Sequence, residues 1–146
     1  MAGEPIGDSV VAAVRTHLEP ALVGRGFVFN SGNTDADGTT TAVLYEISPT
    51  AFTQSLPRLV PAWDEVGWGD ATCVDFWVYY HHANRTLDVH LDWWSLQRLA
   101  DFAPSSAMTA SPLEALSGEA PLDVRLQAIG SLLAEAFAEA ALPAHG

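Results

Sequence analysis

From Tyr79 to Trp94 the chain reads YYHHANRTLDVHLDWW, and the segment before it, Cys73 to Val78, reads CVDFWV. Both arms alternate. Val74, Phe76, Val78 and Tyr80 share one face of an extended chain, and Cys73, Asp75, Trp77, Tyr79 and His81 share the other. In the second arm Leu87, Val89, Leu91 and Trp93 oppose Asp88, His90, Asp92 and Trp94. Two period-two runs joined by polar residues read as an antiparallel hairpin with one face turned to a core. A two-residue turn at Asn84-Arg85 places both apolar sets on one side; arginine is unusual in such a turn, and a longer loop is the alternative. Tyr80 then lies opposite Val89, Val78 opposite Leu91 and Phe76 opposite Trp93. On the second face the same register sets Asp75 opposite Trp94, Trp77 opposite Asp92, Tyr79 opposite His90 and His81 opposite Asp88. A one-residue slip would turn one apolar set outward, so the facing is strongly specified.

The neighbouring segments extend this reading. Phe27-Val28-Phe29 and Thr40 to Ile47 form a second pair of strands, separated by the turn-rich NSGNTDADG of Asn30 to Gly38. Asp8-Ser9 can cap a helix carrying Val11, Val14, Leu18 and Leu22, which Pro20 ends or kinks near Glu19. Residues 48–71 make a long connection with a short helix broken before Pro57. Ser95 can cap SLQRLADF, and residues 103–120 are rich in Pro, Ser and Ala, with one helical turn after Ser111-Pro112. After Pro121, Leu122, Leu126, Ile129, Leu133, Phe137 and Ala140 follow a 3.6-residue period until Pro143. Gly130 within that helix costs about 1 kcal/mol against alanine, so close packing is expected there. The expected fold is α+β: a four-stranded antiparallel sheet of two hairpins, with the N- and C-terminal helices packed on one face, in a single domain spanning 1–146. The apolar stripe of the last helix would also support a homodimer.

Composition narrows the chemistry. The 146 residues carry a net charge of −12, with only six Lys+Arg, all of them arginine. Without lysine there is no Schiff-base nucleophile and no Walker-loop phosphate ligand. Such acidity repels phosphate backbones, which argues against nucleic acid, and favours a basic protein partner or a cation. One cysteine, Cys73, excludes an intrachain disulfide and a thiolate zinc cluster, and suits a reducing cytoplasm. The N-terminus lacks a basic region ahead of an apolar run, and no run is long enough to span a membrane. The Ala-, Arg- and Asp-rich composition points to a bacterial source.

The second hairpin face holds the candidate site. As a binding surface, Asp75, Trp77, Tyr79, Asp88, Asp92 and Trp94 combine rigid rings with carboxylates, a combination suited to cationic or amphipathic partners. The alternative is that residues 48–71 cover this face and bury Trp63 and Trp68 against it. A metal site would use His81, Asp88 and His90, and an acid/base enzyme would pair His90 with Asp88 or Asp92. A Cys-His dyad within the hairpin is excluded, since Cys73 and His81 are on the order of 26 Å apart along a strand. There is no G-x-S-x-G elbow, and Val23 to Phe27 lacks the dinucleotide pattern. Asn33 to Gly38 resembles part of a calcium loop, but Leu44 stands where a glutamate is required. The expectation is a non-catalytic, cofactor-free protein that binds another protein, in the manner of immunity proteins or secretion chaperones. A small metal-dependent or acid/base enzyme, or a small-ligand domain, is the alternative.

Overall fold

A computed structural model describes residues 7–68, 72–102 and 112–143. The sheet has five strands in the order β1-β2-β3-β4-β5, every neighbouring pair antiparallel. These are β1 (Val28–Thr34), β2 (Thr40–Ile47), β3 (Val74–His81), β4 (Thr86–Leu91) and β5 (Trp94–Ser95). The helices are α1 (Gly7–His17), α2 (Glu19–Val23), α3 (Pro49–Ser55), α4 (Val60–Glu65), α5 (Leu96–Phe102), α6 (Pro112–Ser117) and α7 (Leu122–Ala140). The α+β class and the antiparallel sheet match the sequence reading. The strand count does not: the expected four strands are five.

The fifth strand arises from a turn that looks like strand in the sequence. Asp92 adopts φ 51° and reverses the chain, so that Leu91 pairs with Trp94. Aspartate reaches this left-handed conformation more readily than most residues. The reversal exchanges the two tryptophans. Trp93, expected in the core, is 42% exposed, whereas Trp94, expected on the second face, is 6% exposed and part of the core.

The β3–β4 register also differs from expectation. Phe76 pairs with Leu91, Val78 with Val89 and Tyr80 with Leu87. On the other face Trp77 pairs with His90, Tyr79 with Asp88 and His81 with Thr86. The connection is a four-residue turn, His82 to Arg85, in which Arg85 takes φ 62° and donates its N–H to the His81 carbonyl at 2.8 Å. The shift is two residues, so each side chain up to Leu91 keeps its face.

Every described helix contributes buried side chains to one cluster on the Val74-Phe76-Val78-Tyr80 side of the sheet. Phe27 joins the layers, stacked on Phe137 of α7 at 5.8 Å and edge-on to Phe76 at 6.2 Å. Leu126, Ile129, Leu133, Phe137 and Ala140 are all buried there, so α7 uses its apolar stripe within the chain. Gly130 allows α7 to reach the first helix: an added Cβ would collide with the His17 carbonyl. The break between α1 and α2 falls at Leu18, two residues before Pro20. The long connection folds as α3, a 3-10 turn at Pro57–Leu59 and α4. It packs on the core side: Trp63 is fully buried against Phe52 at 4.9 Å, and Trp68 meets Phe52 edge-on at 5.3 Å. The expected Pro-, Ser- and Ala-rich connection lies outside the described residues up to residue 111.

Candidate functional site

The face of the sheet turned away from the core is built by alternation. β2 contributes Thr40, Ala42, Leu44 and Glu46, paired respectively with His81, Tyr79, Trp77 and Asp75 of β3. β4 adds Thr86, Asp88 and His90 opposite His81, Tyr79 and Trp77. Trp77 and Tyr79, two positions apart on β3, stack with ring centroids 5.3 Å apart and planes 11° from parallel. Both rings are half-buried and neither belongs to the core cluster. Leu44, paired with Trp77, is only 9% exposed yet also lies outside that cluster. The result is a small apolar ridge of Leu44, Trp77 and Tyr79.

Carboxylates surround the ridge. Glu46 and Asp75 flank one end and Asp88 adjoins Tyr79. The Tyr79 hydroxyl has its pKa raised by burial and by the charges of Asp75 and Asp88. At the β3–β4 turn His81 bridges two strands: Nε2 lies 2.9 Å from Asp88 Oδ2 and Nδ1 lies 3.3 Å from Thr40 Oγ1. Both ring nitrogens are therefore engaged. His90 stands opposite Trp77 and does not converge with His81 and Asp88 on a common point.

Among the described residues, the group whose ligand atoms do converge is Glu46, Cys73 and Asp75, all within 4.8 Å of one another. The Cys73 thiol lies 3.2 Å from Asp75 Oδ1 and 3.7 Å from Glu46 Oε2. Its hydrogen bond to Asp75, burial and the charges of Asp75 and Glu46 push its pKa up to about 11. A thiol so held is a hydrogen-bond donor at neutral pH, not a nucleophile, because the thiolate is the reactive form.

Two residues expected on this face are elsewhere. Trp94 is in the core, tilted against Trp63 at 5.5 Å and capped by Arg98 at 4.5 Å. Asp92 belongs to the turn, where Oδ2 accepts the Trp63 indole N–H at 2.8 Å and Oδ1 accepts the Asp75 main-chain N–H at 3.3 Å. Burial outweighs those two favourable bonds and leaves its pKa raised. Asp92 is thus a strut between α4 and the sheet. The Asn33 to Gly38 turn uses its carboxylates locally, with Asp35 and Asp37 accepting bonds from Thr39.

Asp75, Trp77, Tyr79 and Asp88 remain together on the outer face. Sequence reasoning omitted Leu44 and Glu46, although the alternation of TTAVLYEI already set them opposite Val43, Tyr45 and Ile47. No protein-family model, curated protein or solved structure matches the chain.

Proposed function

We propose that this protein is non-catalytic and acts by binding a basic protein partner through the outer face of its sheet. The observation that carries the reading is the Trp77–Tyr79 stack, outside the core cluster and bordered by Asp75, Asp88 and Glu46. Aromatic rings give large contact area at little entropic cost, and carboxylates beside them favour lysine or arginine on the partner. The net charge of −12 would add electrostatic steering toward such a partner. In size and acidity the chain is analogous to immunity proteins and secretion chaperones, which supports a binding role of that kind. The lysine-free composition and single cysteine support a bacterial, reducing cytoplasm as its setting.

The test is affinity capture from the source lysate with wild type and with the Trp77→Ala/Tyr79→Ala double variant. The expected result is a partner held at low salt by wild type, released at high salt and lost by a folded double variant. A partner captured equally by both, or none captured at low salt, overturns the reading.

A further inference from the structure

The two edges of the sheet differ. At one, β5 pairs with His90 and Leu91 of β4, and α6 packs against the same strand. At the other, β1 pairs with β2 alone. Helix α1 packs on the core face of β1, where an added Cβ on Gly32 would collide with Val11.

The ladder fixes which groups the open edge offers. The Asp35 N–H donates to the Thr40 carbonyl at 2.9 Å. Antiparallel pairs alternate between bonded and non-bonded, so Asn33 and Ser31 also face β2, while Gly32 and Thr34 turn their N–H and C=O groups outward. Among the described residues no hydrogen bond reaches those outward main-chain groups. Edge strands are usually guarded by charge or proline. The stretch VFNSGNT, Val28 to Thr34, has neither. Its irregularity is the bulge between Phe29 and Ser31, which leaves Ser31 to Thr34 in register.

The charge beside this edge is negative. Val28, Ser31 and Asn33 of β1 lie on the outer face, paired with Glu46, Leu44 and Ala42. Asn30, in the bulge, donates from Nδ2 to Glu46 Oε1 at 3.1 Å and so holds that carboxylate toward β1. Asp75 is paired with Glu46 on the far side. The opposing charge is Arg15, which lies over the Phe29 ring at 3.9 Å but is paired with Glu19 at 2.7 Å. A strand added to β1 would run about 10 Å from β2, within reach of a lysine or arginine side chain directed at Glu46.

We infer that β1 receives an extended segment of a basic partner as an added strand, its main chain bonded to Gly32 and Thr34 and its basic side chains directed at Glu46. This rests on the reading of the outer face as a partner surface and deepens it. Main-chain bonds along the edge supply affinity, and the carboxylates select the charge of the added strand. A second copy of the chain is the weaker occupant, since each copy brings a net charge of −12.

The experiment adds a short capped peptide of alternating lysine and valine to the full chain and reads amide hydrogen exchange at Gly32 and Thr34 by NMR. An analogue N-methylated at every amide keeps the charges and loses the strand donors. At saturation the lysine–valine peptide is expected to slow exchange at both amides at least tenfold, and the analogue to leave them unchanged. The Trp77→Ala/Tyr79→Ala variant separates this inference from the outer-face reading. Peptide-induced shifts at Trp77 and Tyr79 without protection at Gly32 and Thr34 overturn strand addition alone. Protection that persists unchanged in the double variant supports strand addition and removes the aromatic stack from the interface. Protection that appears without peptide and grows with protein concentration assigns the edge to a second copy and overturns the inference. So does the absence of binding at millimolar peptide.

Discussion

Trp63 and Asp92 are joined by an indole N–H to carboxylate bond of 2.8 Å, which ties α4 to the turn between β4 and β5. Trp63 is fully buried, and Asp92 also receives the Asp75 main-chain N–H. This bond keeps the long connection on the core side of the sheet, and the outer face is left to Trp77 and Tyr79.

The two kinds of tryptophan should respond differently to truncation. Trp63→Ala removes a buried ring and the donor to Asp92 Oδ2, leaving Asp92 only the Asp75 main-chain N–H, so a loss of about 3–5 kcal/mol is expected. Trp77→Ala removes a half-buried ring stacked on Tyr79, and about 1–2 kcal/mol is expected. Urea denaturation of both variants checks the order. Equal losses would mean that the Trp77 face is core.

Asp92 sets a pH dependence. Its folded-state pKa lies above the ordinary carboxylate value because burial outweighs its hydrogen bonds. The folded state therefore binds this proton more tightly than the unfolded chain. The stability Asp92 contributes is full below its unfolded pKa and is lost as pH rises through the folded one. Asn at this position tolerates the same φ and carries no such penalty. The stability of Asp92→Asn relative to wild type should rise from pH 4 to pH 7, measured by denaturation at each pH. A constant or falling difference would contradict the assignment.

Gly130 inverts the usual helix-propensity rule. Alanine in an open helix interior gains about 1 kcal/mol over glycine. Here the new methyl meets the His17 carbonyl, so Gly130→Ala should cost about 1–3 kcal/mol through overpacking. A thermal midpoint that rises would show that α1 and α7 are not in close contact.

Cys73 should be a slow nucleophile in the folded protein. A shift from 9.0 to about 11 lowers the thiolate fraction near pH 8 about a hundredfold. Alkylation rates of native protein should climb through pH 10 without a plateau, while the urea-unfolded chain levels off earlier. Asp75→Asn, which removes the leading cause of the shift, should accelerate the native reaction.

Much of this fold is legible in the alternation of CVDFWVYY and TLDVHL, which assigns the buried side of β3 and β4 correctly. The register was not, because a two-residue slip preserves every face and the turn relies on an arginine at positive φ. The β4–β5 reversal was hidden for a similar reason: Asp92-Trp93-Trp94 continues the strand pattern, and only the backbone at Asp92 breaks it. Of the candidate surface, Asp75, Trp77, Tyr79 and Asp88 were readable from β3 and β4. Leu44 is harder to single out: alternation sets it opposite Val43, Tyr45 and Ile47, but β2 carries apolar residues on both faces, so composition does not mark the Leu44 side as the outer one.

The most direct test of the outer face as a binding surface is photo-crosslinking in source cells, with a photoreactive residue at Tyr79 and, separately, at Val124, which is 52% exposed on α7. The account predicts a discrete protein adduct from position 79, lost on Trp77→Ala, and none from position 124. Adducts only from position 124, or none from position 79, would contradict it.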